Sequence, residues 1–151
     1  MTDKPHREQD TPVTVPMVPA AQIAFSLDMA KAAVKAAAEN RGQDIMVLDL
    51  TGVTSLFDFF VLITGSSRRQ LSAIADEIER GLKLIGEKKL SISGVEEGRW
   101  VVMDYGSIVI HLFDEETRGF YNLENLWADG KLVDVSDIVQ ASSATMARHS
   151  T

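Results

Sequence analysis

Three stretches of this chain carry residue types at spacings that could do chemistry. The first is Gly65-Ser66-Ser67, which leaves the apolar run 58–64 (DFFVLIT) and enters a helical stretch. Strand, glycine-serine turn and helix together present backbone N–H groups to an anion, the geometry of a phosphate-binding loop. The turn carries neither a Walker lysine pattern nor GxGxxG, so Ser67 is read first as a helix cap and second as a phosphate ligand. Nucleotidyl transfer would also need two carboxylates at alternate strand positions to hold magnesium. The strand-like 89–93 (KLSIS) has none, and Val102 stands where a partner for Asp104 is required. The turn is kept and the metal site is missing, so neither a metal nor a cofactor is expected.

The second stretch is 100–113 (WVVMDYGSIVIHLF), two short strands reversing at Tyr105-Gly106, where glycine supplies the positive φ of a tight turn. A two-residue loop there would set Asp104 opposite Ser107, Val102 opposite Val109 and Trp100 opposite His111. Alternation across the pleat then gives one face Val101, Met103, Ile108, Ile110 and Leu112, which is core. The other face carries Trp100, Val102, Asp104, Val109, His111 and Phe113. Such a mixed face is either a half-wet sheet surface or a docking surface, and His111 is either a contact or a structural partner of Trp100. A bulged three-residue loop would swap the faces of one strand.

The third stretch, 114–127 (DEETRGFYNLENLW), opens with acids that suit a helix start, and Gly119 weakens the helix interior. Phe120, Leu123 and Leu126 are expected in the core. Tyr121 and Trp127 are amphipathic and suit an interface equally well.

Composition narrows the classes further. With 151 residues and 45% hydrophobic content, the chain can bury one domain's core. A net charge of -7 argues against general nucleic-acid binding and favours contact with a basic protein. The absence of cysteine excludes disulfide, zinc-thiolate and thiol-nucleophile chemistry. Neither a membrane span nor a signal or transit peptide is expected, which points to the cytoplasm. His6 has no His or Cys neighbour and is read as solvent-exposed.

These stretches must be positioned by a small set of elements. All four prolines lie in residues 1–22, read as a disordered N-terminal tail. A first helix is expected from about Leu27 to Glu39, capped by Ser26. A second, with its stripe at Leu71, Ile74, Ala75, Ile78, Leu82 and Ile85, should run from Arg68 to Ile85. Five strands are expected near 44–50, 58–64, 89–93, 100–104 and 107–113. The unbroken apolar run of the second marks a central strand covered on both faces. The domain is thus placed at 23–127. Residues 128–151 are read as an extension, largely disordered, with at most a short element at 131–140.

Three linked blocks now add up to a resemblance. The run DFFVLITGSSRRQLSAIADEI, then WVVMDYGSIVIHLF, then ExRxFYNLExLW is similar to the ribosomal silencing factor (Iojap) family, over roughly 27–127. The matching positions are Asp58, Gly65, Ser67, Arg69, Trp100, Asp104, Tyr105, Gly106, His111, Arg118, Tyr121, Leu123, Glu124, Leu126 and Trp127. The resemblance implies an α/β fold, a mixed sheet flanked by helices, similar to nucleotidyltransferases but without their catalytic carboxylate pair. It implies binding to the large ribosomal subunit through a basic ribosomal protein on the subunit-joining face. There the family blocks small-subunit joining and represses translation, notably when nutrients are scarce.

The partner-binding residues expected from the hairpin and the third stretch are Trp100, Val102, Asp104, Tyr105, His111, Arg118, Tyr121, Glu124 and Trp127, with Trp100 and Tyr105 as anchors. Three classes stay open: a ribosome-docking repressor that is not an enzyme, a nucleotidyltransferase-like or nucleotide-binding protein, and a homodimer using the same face on itself.

Overall fold

In the computed structural model, which describes residues 19–149, the apolar run after Asp58 becomes an inner strand of a six-stranded sheet. In chain order the elements are α1 (Ala20–Glu39), β1 (Gln43–Asp49), β2 (Phe59–Gly65) and α2 (Arg68–Leu84). Then come β3 (Ser91–Ser93), β4 (Trp100–Asp104), β5 (Ile108–Asp114), α3 (Glu115–Tyr121), α4 (Leu123–Leu126), β6 (Lys131–Val133) and α5 (Ser136–His149). The strand order is β3-β4-β5-β2-β1-β6, with β2 and β5 parallel and every other pair antiparallel. All seven residues of β2 are buried, as expected for a strand covered on both faces.

The sheet separates two cores. On one side α1, α2 and α5 pack Met29, Ala33, Val34, Leu71, Ile74 and Ile78 onto Val61, Ile63, Met103, Ile110 and Leu112. On the other side Leu48, Leu50, Phe60, Leu62, Val109 and Phe113 lie under α3, α4 and the loop before β2, with Trp100 and Val102 beside them in the sheet and Leu123, Phe57 and Trp127 packed against them.

Several expectations are corrected. The sheet has six strands, not five, because Lys131–Val133 pairs with β1 as an edge strand. Among the described residues past Trp127, β6 and α5 take the place of the expected, largely disordered extension, and Ile138 and Val139 of α5 pack on the α1 side. Helix α1 begins at Ala20, directly after Pro19, instead of at Leu27. Ser26 is thus not a cap; it is buried within α1, where its hydroxyl donates to Asp58 Oδ2 at 2.7 Å. Of the expected tail, residues 1–18 lie outside the described residues, as does His6, and Ala20 to Gln22 belong to α1.

The hairpin turn also moves. Tyr105 N–H donates to Ile108 O at 3.0 Å, so the two loop residues are Gly106-Ser107, with Gly106 at φ +87°. A glycine first in the loop is what a type II′ turn asks for. Trp100 accordingly pairs with Phe113, Val102 with His111 and Asp104 with Val109. Relative to the expected pairing, each β4 residue slides by two, an even number, so every side chain keeps its face.

Candidate protein-docking site

The aromatic side of the sheet is built by alternation. Trp100 and Val102 on β4 and Val109, His111 and Phe113 on β5 point the same way, and Phe60 joins them from β2. Their rings form a continuous row. Tyr121 sits 4.8 Å from Trp100 by ring centroids, and Trp100 lies 5.1 Å from Phe113. His111 stacks at 5.9 Å on Phe113 and meets Phe60 in a T at 4.7 Å. Phe60 in turn contacts Trp127 at 5.5 Å and Phe57 at 5.0 Å.

Trp100 Nε1–H donates to His111 Nδ1 at 3.1 Å, so the structural reading of His111 is the one the geometry supports. With Nδ1 accepting, the neutral ring keeps its proton on Nε2, which is buried without a hydrogen-bond partner among the described residues. Burial among rings disfavours the imidazolium and pulls the His111 pKa down to about 4. His111 therefore acts inside the row, holding the indole of Trp100.

The short helices over this side leave it partly open. Asp114 caps α3, its Oδ1 accepting from Thr117 N at 2.7 Å, and Asn122 ends it in the left-handed region at φ +51°. Asn tolerates that conformation better than most residues, and the break resets the helical period before α4. The stripe expected for one long helix is therefore cut. Leu123 is buried, but Phe120 and Leu126 are 80% and 72% exposed, which corrects the expectation that both are core. Tyr121 is 52% exposed. Phe120 and Leu126 are the residues that sequence reasoning missed; the signal available was Asn122 after Gly119, two helix-weakening residues within four positions.

The expected site residues divide. Trp100, Val102, His111, Tyr121 and Trp127 are brought together on the aromatic side, with Asp104 at its hairpin end, where Oδ1 accepts from Gly106 N at 2.8 Å. Tyr105 is not among them. It packs in the opposite, helix-covered core at 6% exposure, and its hydroxyl is buried without a hydrogen-bond partner among the described residues. Its phenol is pushed up to about 12, first by burial and then by the nearby Glu79 charge. The reason is parity: five residues separate it from Trp100, so the pleat turns it to the other face.

Arg118 is also buried, and it works as a clamp. Its Nη1 donates to Asp44 O and, at 2.8 Å, to Thr64 Oγ1, while Nε lies 3.7 Å from Glu124 Oε2. Asp44 presents that carbonyl because β1 is irregular there, with Asp44 at φ +48°. One guanidinium thus ties α3 to β1, β2 and α4.

The glycine-serine turn resolves as a cap. Ser67 Oγ accepts from Gln70 N at 3.1 Å, and the Gln70 side chain accepts from both Ser66 N–H and Ser66 Oγ–H. Two donors that a phosphate loop would aim at an anion are thereby occupied. A Cβ on Gly65 would meet Leu71 Cδ2 at 2.5 Å, so any other residue there would push the buried Leu71 side chain aside where α2 closes onto the strand end. Among the described residues, no group of three or more His, Asp or Glu is placed to hold a metal ion, and no helix is long and apolar enough to cross a membrane.

Comparison with known proteins returns one family throughout. The family described as "Ribosomal silencing factor during starvation" matches residues 24–151. The chain is 38% identical over 105 residues to ribosomal silencing factor RsfS of Bacillus subtilis, covering 70% of this chain and 89% of that protein. It is 31% identical over 123 residues to the chloroplastic Iojap protein of Zea mays, covering 80% of this chain and 52% of that one. Among solved structures, a Chromobacterium violaceum protein superposes with a TM-score of 0.66 at 35% identity, covering 68% of this chain and 85% of that one. A Bacillus halodurans protein superposes with a TM-score of 0.63 at 31% identity, covering 72% of this chain and 98% of that one.

Proposed function

The chain belongs to the ribosomal silencing factor family, and from that premise we propose that it represses translation by docking its aromatic sheet face on the large ribosomal subunit. The contact is a basic ribosomal protein on the subunit-joining face, and occupying that surface keeps the small subunit off. No catalysis is required, and the place of action is the cytoplasm. The observation that carries the reading is the ring row from Phe57 to Tyr121, sealed in its middle and left open at Tyr121 and the adjoining Phe120. Soluble domains seldom leave large aromatic side chains grouped in water without a partner for them. A chain of net charge -7 complements a basic partner, whose charge would steer association.

The sheet is, in this reading, a nucleotidyltransferase-like frame without the metal-holding carboxylates. Co-sedimentation with separated ribosomal subunits tests the proposal: the chain should pellet with the large subunit and inhibit joining of the small one. Pelleting with neither subunit, or with both alike, would sink it. Titration of nucleoside triphosphate with magnesium should give no saturable micromolar binding; a tight metal-dependent complex at Gly65–Ser67 would restore the enzymatic alternative. A dimer in solution that persists on the ribosome would show the aromatic face to be a self-contact instead.

A further inference from the structure

The open end of the aromatic row has a definite shape. A groove of about 340 Å³ runs between α3 and the start of β4, lined by Trp100, Tyr121, Phe120, Thr117, Glu97, Glu116 and Arg99. Its walls are aromatic: the Phe120 and Tyr121 rings meet at 73° with centroids 5.0 Å apart, and the Tyr121 and Trp100 rings at 47°. Its rim is charged, with two carboxylates against one guanidinium. None of Glu97, Glu116 and Arg99 takes part in an ion pair among the described residues.

We propose that this corner of three rings and two carboxylates is a receptor for one lysine side chain of the docked basic protein. The inference rests on the docking reading above and names the contact by which that partner is held. A ring face is negative and attracts a cation, most strongly where water is thinned out. Two rings set nearly at right angles contact a compact ammonium from two sides at once. A flat guanidinium would stack on a single face. The lysine stem covers Phe120, which otherwise stands 80% exposed, and the ammonium meets the unpaired Glu97 and Glu116.

The test needs no ribosome. Nα-acetyl-lysine methylamide is titrated into the full chain, with the arginine and norleucine equivalents as controls, following the Trp100 indole and Tyr121 amide signals by NMR. Saturable millimolar binding of the lysine probe is expected, about fivefold tighter than norleucine, the size of an exposed cation–π contact. Phe120→Ala, and separately the pair Glu97→Gln with Glu116→Gln, should each weaken it by about threefold or more. Phe120, Glu97 and Glu116 are all exposed, so these variants should fold, and circular dichroism checks that they do. Equal binding of norleucine and lysine would overturn the proposal, as would tighter binding of arginine or an unchanged affinity in both variants. Failure of the probe while the chain still pellets with large subunits sinks the lysine assignment alone. Failure to pellet sinks the docking reading beneath it.

Discussion

The two faces of the sheet are made from the same strands and finished differently. Every second residue of β2, β4 and β5 goes to each side, yet one side receives a single ring, Phe59, among Val61, Ile63, Val101, Met103, Ile108, Ile110 and Leu112, and the other receives Phe60, Trp100, His111 and Phe113 beside Leu62, Val102 and Val109. Three helices, two of them long, seal the aliphatic side. Short α3 and α4 cover the aromatic side and leave Phe120, Tyr121 and Leu126 in solvent. Aliphatic chains fill a closed core closely, while rings that carry N–H or O–H groups serve a surface that is part apolar and part wet. In the proposed docking, the difference separates stability from recognition: one face holds the fold and the other is offered to the partner.

The sharpest way to break that division is to cut one residue on each face and read both stability and docking. Leu112→Ala empties a fully buried site on the helix-covered side and should destabilise by roughly 2 to 5 kcal/mol in chemical denaturation. Its folded fraction should pellet with large subunits as wild type does. Trp100→Ala should do the reverse in docking, lowering large-subunit affinity on the order of thirtyfold, about 2 kcal/mol for a truncated aromatic anchor. A folded Trp100→Ala chain with wild-type affinity would move the interface off this face.

Acid sharpens the comparison through His111, a buried imidazole of the aromatic side. Its folded pKa, about 4, lies below the ordinary 6.5. The folded state keeps the ring neutral while the unfolded chain takes up a proton. Stability is then complete above about pH 6.5 and is lost as pH falls towards 4, by at most roughly 3 kcal/mol. Thermal melts across that window should show the decline. His111→Gln should flatten the part due to this ring, and an undiminished decline in that variant would assign the loss to carboxylates elsewhere.

How much of this was legible depends on whether the signal is local. The run at β2 announced a central strand because an unbroken apolar stretch suits burial on both sides. The faces of β4 and β5 were readable even though the turn was misplaced, since the slip was even. The capping role of Ser67 followed from its place before a strong helical stripe. What escaped were features fixed at a distance or by small devices. Arg118 looks like a surface cation in its own helix, and only the fold brings Asp44 O and Thr64 to it. Lys131–Val133 is too short to show alternation, and β1 alone makes it a strand. Asn122 breaks α3 from α4, and that single left-handed residue decides whether Phe120 is core or surface.

The smallest effect comes from Tyr105, which the sequence pairs with Trp100 and the pleat sends to the other side. Its hydroxyl is buried in the helix-covered core with no hydrogen-bond partner among the described residues, and a phenol held near 12 stays neutral at any physiological pH. A buried, unsatisfied hydroxyl costs desolvation and returns nothing, so Tyr105→Phe should be neutral or stabilising by up to about 1 kcal/mol. Thermal melts of the variant measure that change directly. Large-subunit affinity should stay at the wild-type value, because the ring lies in the helix-side core near Glu79 of α2 and not on the proposed docking surface. Trp100→Phe is the matched substitution on the opposite face. It keeps a ring but removes the N–H that His111 accepts, leaving a second buried ring nitrogen unpaired. The two conservative changes, five residues apart in one hairpin, should therefore differ in both readouts. A tenfold loss of affinity in Tyr105→Phe would show that recognition reaches through the sheet, and the division between its faces would fall.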